Sequence, residues 1–235
     1  METLIFKYAL IIHVICGFLS LVTGAVAMSV KKGGKTHNVA GLIFYWAMFG
    51  IFVTTVLFFV LYPEKTKYQF FLTIGIVSFY PNWSGKRMLQ MKKGLSPTLT
   101  DKVAAFGIGI SGLVMLGYAF YGFLNGNIQD VFQILFVIFG IVSLFNAYGD
   151  LKLYLGFQQA PKMHWFFAHA GKMTGAYAAA MTAFFVNIVP RYLPDNLPSA
   201  YQVATWVVPG ILIGIVGNRI SKKYKVKFKL IPAGK

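Results

Sequence analysis

The sequence has few charged residues, and very few of those are acidic. Only 12% of its 235 residues are charged and only 6 are Asp or Glu, whereas 57% are hydrophobic. A soluble domain carries about 25% charged residues, so this composition excludes an ordinary soluble fold. Because a bilayer-spanning helix needs only ~20 residues, the length suits about six to eight spans and no large domain outside the membrane.

Cysteine is nearly absent as well. The single cysteine, Cys16, lies inside an apolar run. The sequence therefore excludes an internal disulfide, a thiolate metal cage and the Cys-x-x-Cys-His motif that attaches haem covalently.

Basic residues are in large excess, with 22 Lys and Arg and a net charge of +16. They cluster in short segments between apolar runs, and no nucleic-acid recognition motif accompanies them. We therefore predict no nucleic-acid partner. The expected partners are the lipid bilayer and the anionic headgroups on its cytoplasmic face.

Seven apolar runs predict an all-α integral membrane bundle of seven transmembrane helices. They cover residues 4–29, 39–61, 68–83, 103–124, 131–148, 165–189 and 201–220, with Gly-, Pro- and Lys-rich breaks that include residues 125–127 and 190–198. The third and fifth runs are short, so we expect their helices to continue, with a kink at Pro81. Residues 1–221 form one predicted transmembrane domain, and residues 222–235 form a basic tail.

The positive-inside rule predicts the orientation. Most Lys and Arg fall in the segments at residues 31–35, 86–102 and 152–162 and after residue 219, which would share one side. The N-terminus is then outside and the C-terminus cytoplasmic, in a multi-pass protein of the cell inner membrane. The first run is too long for a signal peptide and lacks its basic segment, so we expect it to remain as the first helix.

A weak internal repeat is visible at the segments that precede the second, fourth and sixth runs. His37, Asp101 and His164 occupy similar positions there, 64 and 63 residues apart. One interpretation is three two-helix repeats plus one helix, which places these side chains at one depth. The alternative is that hairpins of similar length produce this spacing by themselves.

The same residues predict a divalent-metal site, with His37, His164, Asp101 and His169 as candidate ligands. Two imidazoles and a carboxylate suit zinc or iron. In an enzyme, Asp101 or Asp150 would act as the base while the metal activates water. Against this, His164 and His169 are five residues apart, which does not place them on one helix face.

Helix capping is the alternative to the metal site. Thr36 and Thr100 precede predicted helices, and Asp101 would lie in a first helical turn, where a negative charge is favourable.

Haem is a further alternative, as the cofactor of a redox protein. By position along the runs, His37 and His164 are the only two histidines at matching depth. His13 and His169 are separated by roughly 13 Å of helix rise, too much for one iron.

Lys172 is an unusual residue, because it lies about two turns inside the sixth apolar run. A lysine there must be paired, must line water, or must extend to the headgroups. Asp150 and Asp101 are the candidate partners. With Lys172 and Asp150 as switching charges, the protein would be a proton or small-solute transporter. A structural subunit or homo-oligomer, packed through small residues, is the remaining alternative.

Two blocks of sequence resemble a family of bacterial predicted polytopic membrane proteins of unknown function. The blocks contain the segments His13-Val14-Ile15-Cys16-Gly17-Phe18, Lys32-Gly33-Gly34-Lys35-Thr36-His37 and Gly41-Leu42-Ile43-Phe44, and later His169-x-x-x-Met173-x-x-x-Tyr177. The resemblance implies a seven-span inner-membrane protein. It implies no established activity.

Overall fold

Each apolar run corresponds to one α-helix. The computed structural model describes residues 2–126, 130–192 and 199–232, and all regular elements in these ranges are helical. The helices are α1 (Glu2–Ser29), α2 (Lys35–Leu61), α3 (Thr66–Met88), α4 (Leu99–Asn125), α5 (Asp130–Tyr154), α6 (His164–Ile188) and α7 (Ser199–Lys227), with short 3₁₀ segments at Leu89–Met91 and Val189–Tyr192. As predicted, α3 and α5 continue beyond their apolar runs. The predicted breaks at residue 127 and residues 193–198 lie outside the described residues.

Five helices are long and apolar enough to cross a membrane, namely α1, α2, α4, α5 and α7. The chain is therefore a multi-pass membrane protein. The other two, α3 and α6, carry more polar side chains, including Asn82 in α3 and Lys172 in α6.

Packing separates the helices into two rings that share the α3–α6 pair. The first ring contains α1, α2, α3 and α6, and the second contains α3, α5, α7 and α6, with α4 packed on α5. Phe44, Met48 and Tyr177 fill the core of the first ring. Phe70 and Leu135 lie in the core of the second, with Trp206 packed against them.

This packing differs from the arrangement that three hairpin repeats predict. The hairpins would pair α1 with α2, α3 with α4 and α5 with α6. The first pair packs as expected, whereas α3 packs mainly against α6 and α2, and α4 packs mainly against α5. The physical reason is polarity. Polar helices are costly against lipid, so α3 and α6 face each other while more apolar helices cover them.

Helix caps at the loops differ in part from the prediction. Thr98, and not Thr100, caps α4 in a capping box with Asp101. Gly34, and not Thr36, precedes α2 without a side-chain cap.

The helix α7 continues through Lys227, so the first part of the predicted basic tail is helical. Phe228 packs against Phe166 of α6, with ring centroids 5.2 Å apart.

The helices α1, α3, α5 and α7 end, and α2, α4 and α6 begin, at one end of the bundle. We call this the basic end, because most Lys and Arg lie in its segments.

Candidate functional site

Lys172 points into the protein and pairs with Asp150. Its Nζ lies 2.5 Å from Asp150 Oδ2, and the two side chains are 11% and 7% exposed. Of the two predicted partners, Lys172 pairs with Asp150 and not with Asp101, which pairs with Arg87. The alternative in which Lys172 extends to the headgroups is wrong. The pair links α6 to α5 across the second ring.

Two side chains of α3 complete this pair. Tyr80 donates its hydroxyl to Asp150 Oδ2 at 2.5 Å, and Lys172 Nζ donates to Ser84 Oγ at 3.0 Å. We call Tyr80, Ser84, Asp150 and Lys172 the interior charge cluster. Its hydrogen bonds replace part of the solvation that both charges lose on burial.

Near this cluster lie two buried polar atoms that have no hydrogen-bond partner among the described residues. They are Tyr154 Oη, one turn after Asp150 on α5, and His164 Nε2, two turns before Lys172 on α6. Buried polar atoms are normally satisfied by protein or by ordered water. These two therefore mark positions where a water or a ligand would gain hydrogen bonds.

Asp101 is fully engaged in structural contacts. Arg87 Nε and Nη2 each donate to one of its carboxylate oxygens at 2.8 Å, and the backbone N–H and hydroxyl of Thr98 donate to Oδ2 at 2.8 and 2.7 Å. The residue is 1% exposed. This geometry favours the capping alternative, because the ion pair and the helix cap occupy the oxygens that a metal would need.

His37 and His169 lie beside each other, with ring centroids 6.5 Å apart and ring planes at 82°. They belong to α2 and α6, which are opposite members of the first ring. The sequence pattern predicted His164 as the partner of His37, whereas the histidine that the structure shows beside His37 is His169. His37 is the third residue of α2 and His169 the sixth of α6, and the side chains span this difference of about 4.5 Å in helix rise.

The imidazole rings of His37 and His169 are each held by a hydrogen bond to a backbone carbonyl. His37 Nδ1 lies 3.0 Å from the Ala27 oxygen, and His169 Nδ1 lies 2.8 Å from the Gly85 oxygen. Because a carbonyl only accepts, each Nδ1 carries the proton and donates it. In the neutral rings, each Nε2 then has a free lone pair, which is the arrangement of a metal-binding histidine.

The predicted metal ligands do not assemble into one shell. Among the residues that the structure describes, no group of three or more His, Cys, Asp or Glu side chains could hold a metal ion. Asp101 is bound to Arg87, and the histidine that lies beside His37 is His169. What the fold brings together is the pair His37 and His169.

His13 is separate from these groups. Its Nδ1 lies 2.7 Å from Thr54 Oγ1, and its ring packs against Phe58 with centroids 5.4 Å apart. Since Thr54 donates its own hydrogen to backbone carbonyls of α2, His13 donates to Thr54. This histidine packs between α1 and α2, and it provides a matched control for the histidine pair.

Sequence reasoning missed Tyr80, Ser84, Tyr154 and Arg87. The chain has 13 tyrosines, and those near the ends of apolar runs are also expected in the interfacial belts of a membrane protein. Nothing in the sequence distinguishes Tyr80 from these. Arg87 was counted only as a loop charge.

No protein-family model, characterised protein or solved structure matches the chain. The functional argument therefore depends on the side-chain chemistry described above. That chemistry defines a multi-pass membrane protein with a histidine pair in one helical ring and a buried ion pair in the other.

Proposed function

We propose that this protein binds one haem non-covalently through His37 and His169, and that the haem would carry single electrons. The observation that carries the proposal is the juxtaposition of two histidines from facing helices, each with Nδ1 bonded to a backbone carbonyl and Nε2 left as the nitrogen that would hold the iron. Their ring centroids are 6.5 Å apart.

The number of protein ligands favours haem over a bare metal ion. Zinc and non-haem iron sites use at least three protein donors, and no such group is found among the described residues. A haem supplies four nitrogen ligands of its own, so two histidines complete its coordination. For this reason we place zinc, or iron without a porphyrin, second.

The surroundings of the two imidazole rings suit a haem. Facing helices of a four-helix ring are where bundle proteins build cofactor sites. Lys32 Nζ donates to the same Ala27 oxygen as His37 Nδ1, at 2.8 Å. The same ammonium group donates to the Met28 oxygen, so Lys32 holds the last carbonyls of α1 beside the His37 imidazole.

We also propose that all seven helices cross the bacterial inner membrane, with the N-terminus outside and the basic end cytoplasmic. The helices α3 and α6 have 23 and 25 residues. At 1.5 Å per residue each is roughly 35 Å long, enough to span a bilayer. The histidine pair would then lie in the cytoplasmic half of the protein.

The absorption spectrum of the purified protein tests the haem proposal. We expect a Soret band, either as purified or after addition of haem, at one haem per chain. His37→Ala and His169→Ala should each abolish the six-coordinate spectrum, because an axial ligand is lost. A colourless preparation that binds no added haem would overturn the proposal, and stoichiometric zinc without porphyrin would favour the bare-metal site.

Control variants separate ligand loss from misfolding. His13→Ala should keep the full haem content, because His13 contacts Thr54 outside the pair. His169→Met should keep a haem with an altered spectrum and a raised reduction potential, since methionine is also an axial ligand. Asp101→Asn should lower stability without changing haem content.

The interior charge cluster favours a second candidate function, the movement of protons or a small solute. Ionisable residues inside membrane spans commonly line such paths, and Tyr154 and His164 extend the polar groups from Asp150 towards the basic end. Proton uptake into proteoliposomes under an imposed membrane potential tests this function. Uptake should be lost in Asp150→Asn, and absence of uptake in the parent protein would count against it.

A further inference from the structure

An apolar groove lies between α2 and α4, with α3 as its floor. Its volume is about 280 Å³. The side chains that shape it include Phe52 of α2, Phe79, Tyr80 and Trp83 of α3, and Ile108 of α4. The groove is partly open to the surface of the protein, and in a membrane this surface would contact lipid.

The groove is preformed and is not filled by the protein's own side chains. Phe52 and Phe79 stack face to face, with centroids 4.8 Å apart and planes at 10°, and so form a flat wall. On the α4 side, Gly107 lines the groove, and a Cβ built there meets nothing within 4 Å. Glycine at this position therefore leaves an open slot.

Lys86 follows the groove residue Trp83 on α3, on the side towards the basic end. Lys86 follows Phe79 by seven residues on α3, which places it on the same helix face two turns further along. Its Nζ lies 3.9 Å from the ring centroid of Tyr45 and 5.6 Å from that of Trp46. Neither ion pair found in the described part of the chain involves Lys86. Its charge is thus available to an external anion.

We propose that this groove binds one acyl chain of an anionic phospholipid, with the lipid phosphate beside Lys86. A volume of about 280 Å³ holds about nine groups of water or methylene size, at roughly 30 Å³ each. That corresponds to a large part of one acyl chain. The apolar slot and the cation that follows it on α3 match the two parts of such a lipid. The proposal does not depend on the haem.

The bound chain would contact a residue of the interior charge cluster. The Tyr80 ring lines the groove, and its hydroxyl donates to Asp150 at 2.5 Å. One side chain thus connects the lipid site to the buried ion pair. The lipid is placed to hold the Tyr80 ring against Asp150.

Native mass spectrometry of the protein in detergent, with added phosphatidylglycerol or phosphatidylcholine of identical chains, tests the proposal. We expect the parent protein to retain phosphatidylglycerol at lower lipid concentration than phosphatidylcholine. Gly107→Leu should weaken retention of both lipids by about tenfold, because the leucine fills the slot and several methylene groups lose their burial. Haem content should not change.

Gly117→Leu is the matched control. Gly117 lies on the same helix, is exposed, and also has nothing within 4 Å of a built Cβ, but it does not line the groove. Its substitution should leave lipid retention unchanged. Equal retention in Gly107→Leu and Gly117→Leu would overturn the acyl-chain site.

Lys86→Gln tests the headgroup separately and leaves the groove intact. We expect it to remove the preference for phosphatidylglycerol while both lipids still bind. If the parent protein shows no preference between the lipids, or if Lys86→Gln keeps the preference, the assignment of an anionic lipid is wrong.

Discussion

A lysine buried inside a bundle of helices is stable only when other groups compensate its charge. Here Asp150 supplies the opposite charge, and Ser84 supplies an acceptor. Gly85 makes this possible, because a Cβ at that position would lie 2.9 Å from Lys172 Cβ. The glycine lets α3 approach α6 closely enough for Ser84 to reach the ammonium group.

The first prediction concerns this pair. Lys172→Met should destabilise the protein by about 3 kcal/mol or more, because it leaves the Asp150 carboxylate buried and unpaired. Thermal unfolding in detergent measures the effect. The double variant Lys172→Met with Asp150→Asn should recover much of the loss, since both charges are then removed. A melting temperature of Lys172→Met equal to or above that of the parent would show that the ion pair does not stabilise the fold.

At the residue scale, the sequence predicted some partners and missed others. The sequence limited the partner of Lys172 to Asp150 or Asp101, because the chain has only six acidic residues and few lie within reach. The partner of His37 was not predictable, because depth estimated from the edges of apolar runs ignores the reach of side chains. Asp101 was a candidate metal ligand by residue type. Only the structure shows that Arg87 and Thr98 donate hydrogen bonds to its carboxylate oxygens.

At the scale of the helices, glycines decide how closely α4 and α5 pack. A Cβ at Gly112 would lie 2.8 Å from the Gly140 carbonyl oxygen, and a Cβ at Gly140 would lie 3.0 Å from that of Gly112. The two backbones therefore touch at this point. Small residues that allow such an approach are typical of membrane helix interfaces.

The second prediction compares two alanine substitutions on α4. Gly112→Ala should destabilise the protein by about 1–3 kcal/mol, because the methyl group forces the backbones of α4 and α5 apart. Gly117→Ala should be tolerated, because its Cβ has open space. The free energy of unfolding in mixed detergent measures both. Equal effects of the two substitutions would mean that the close approach at Gly112 does not limit stability.

The helices themselves were largely predictable, and their packing was not. Apolar length locates a membrane helix well, so each run lies within the limits of one helix or ends one residue beyond it. Short hairpin connections suggested that neighbours in sequence would pair as repeats. The positions and lengths of the apolar runs do not specify which helices face each other. The pairing of α3 with α6 depends on individual polar side chains and on Gly85.

At the scale of the whole molecule, the polar groups are placed unevenly. The histidine pair, the interior charge cluster and the Arg87–Asp101 ion pair all lie in the half of the bundle that adjoins the basic end. The other half has apolar cores around Phe70 and Leu135. If the basic end is cytoplasmic, a cofactor at the histidine pair and a proton exchanged at the interior charge cluster would both be reached from the cytoplasmic side.

The third prediction concerns this orientation and the crossing of α3. In a Cys16→Ser background, a single cysteine is introduced either by Lys65→Cys, before α3, or by Lys93→Cys, after α3. The two thiols lie on opposite sides of the membrane only if α3 crosses it. With basic segments held in the cytoplasm, a membrane-impermeant thiol reagent should label Lys65→Cys in intact spheroplasts and should label Lys93→Cys only after permeabilisation. Labelling of both without permeabilisation would show that α3 does not cross, and the reverse pattern would show the opposite orientation. Because α3 carries Tyr80, Ser84 and the Gly85 carbonyl, its crossing decides whether the interior charge cluster and the support of His169 lie within the bilayer.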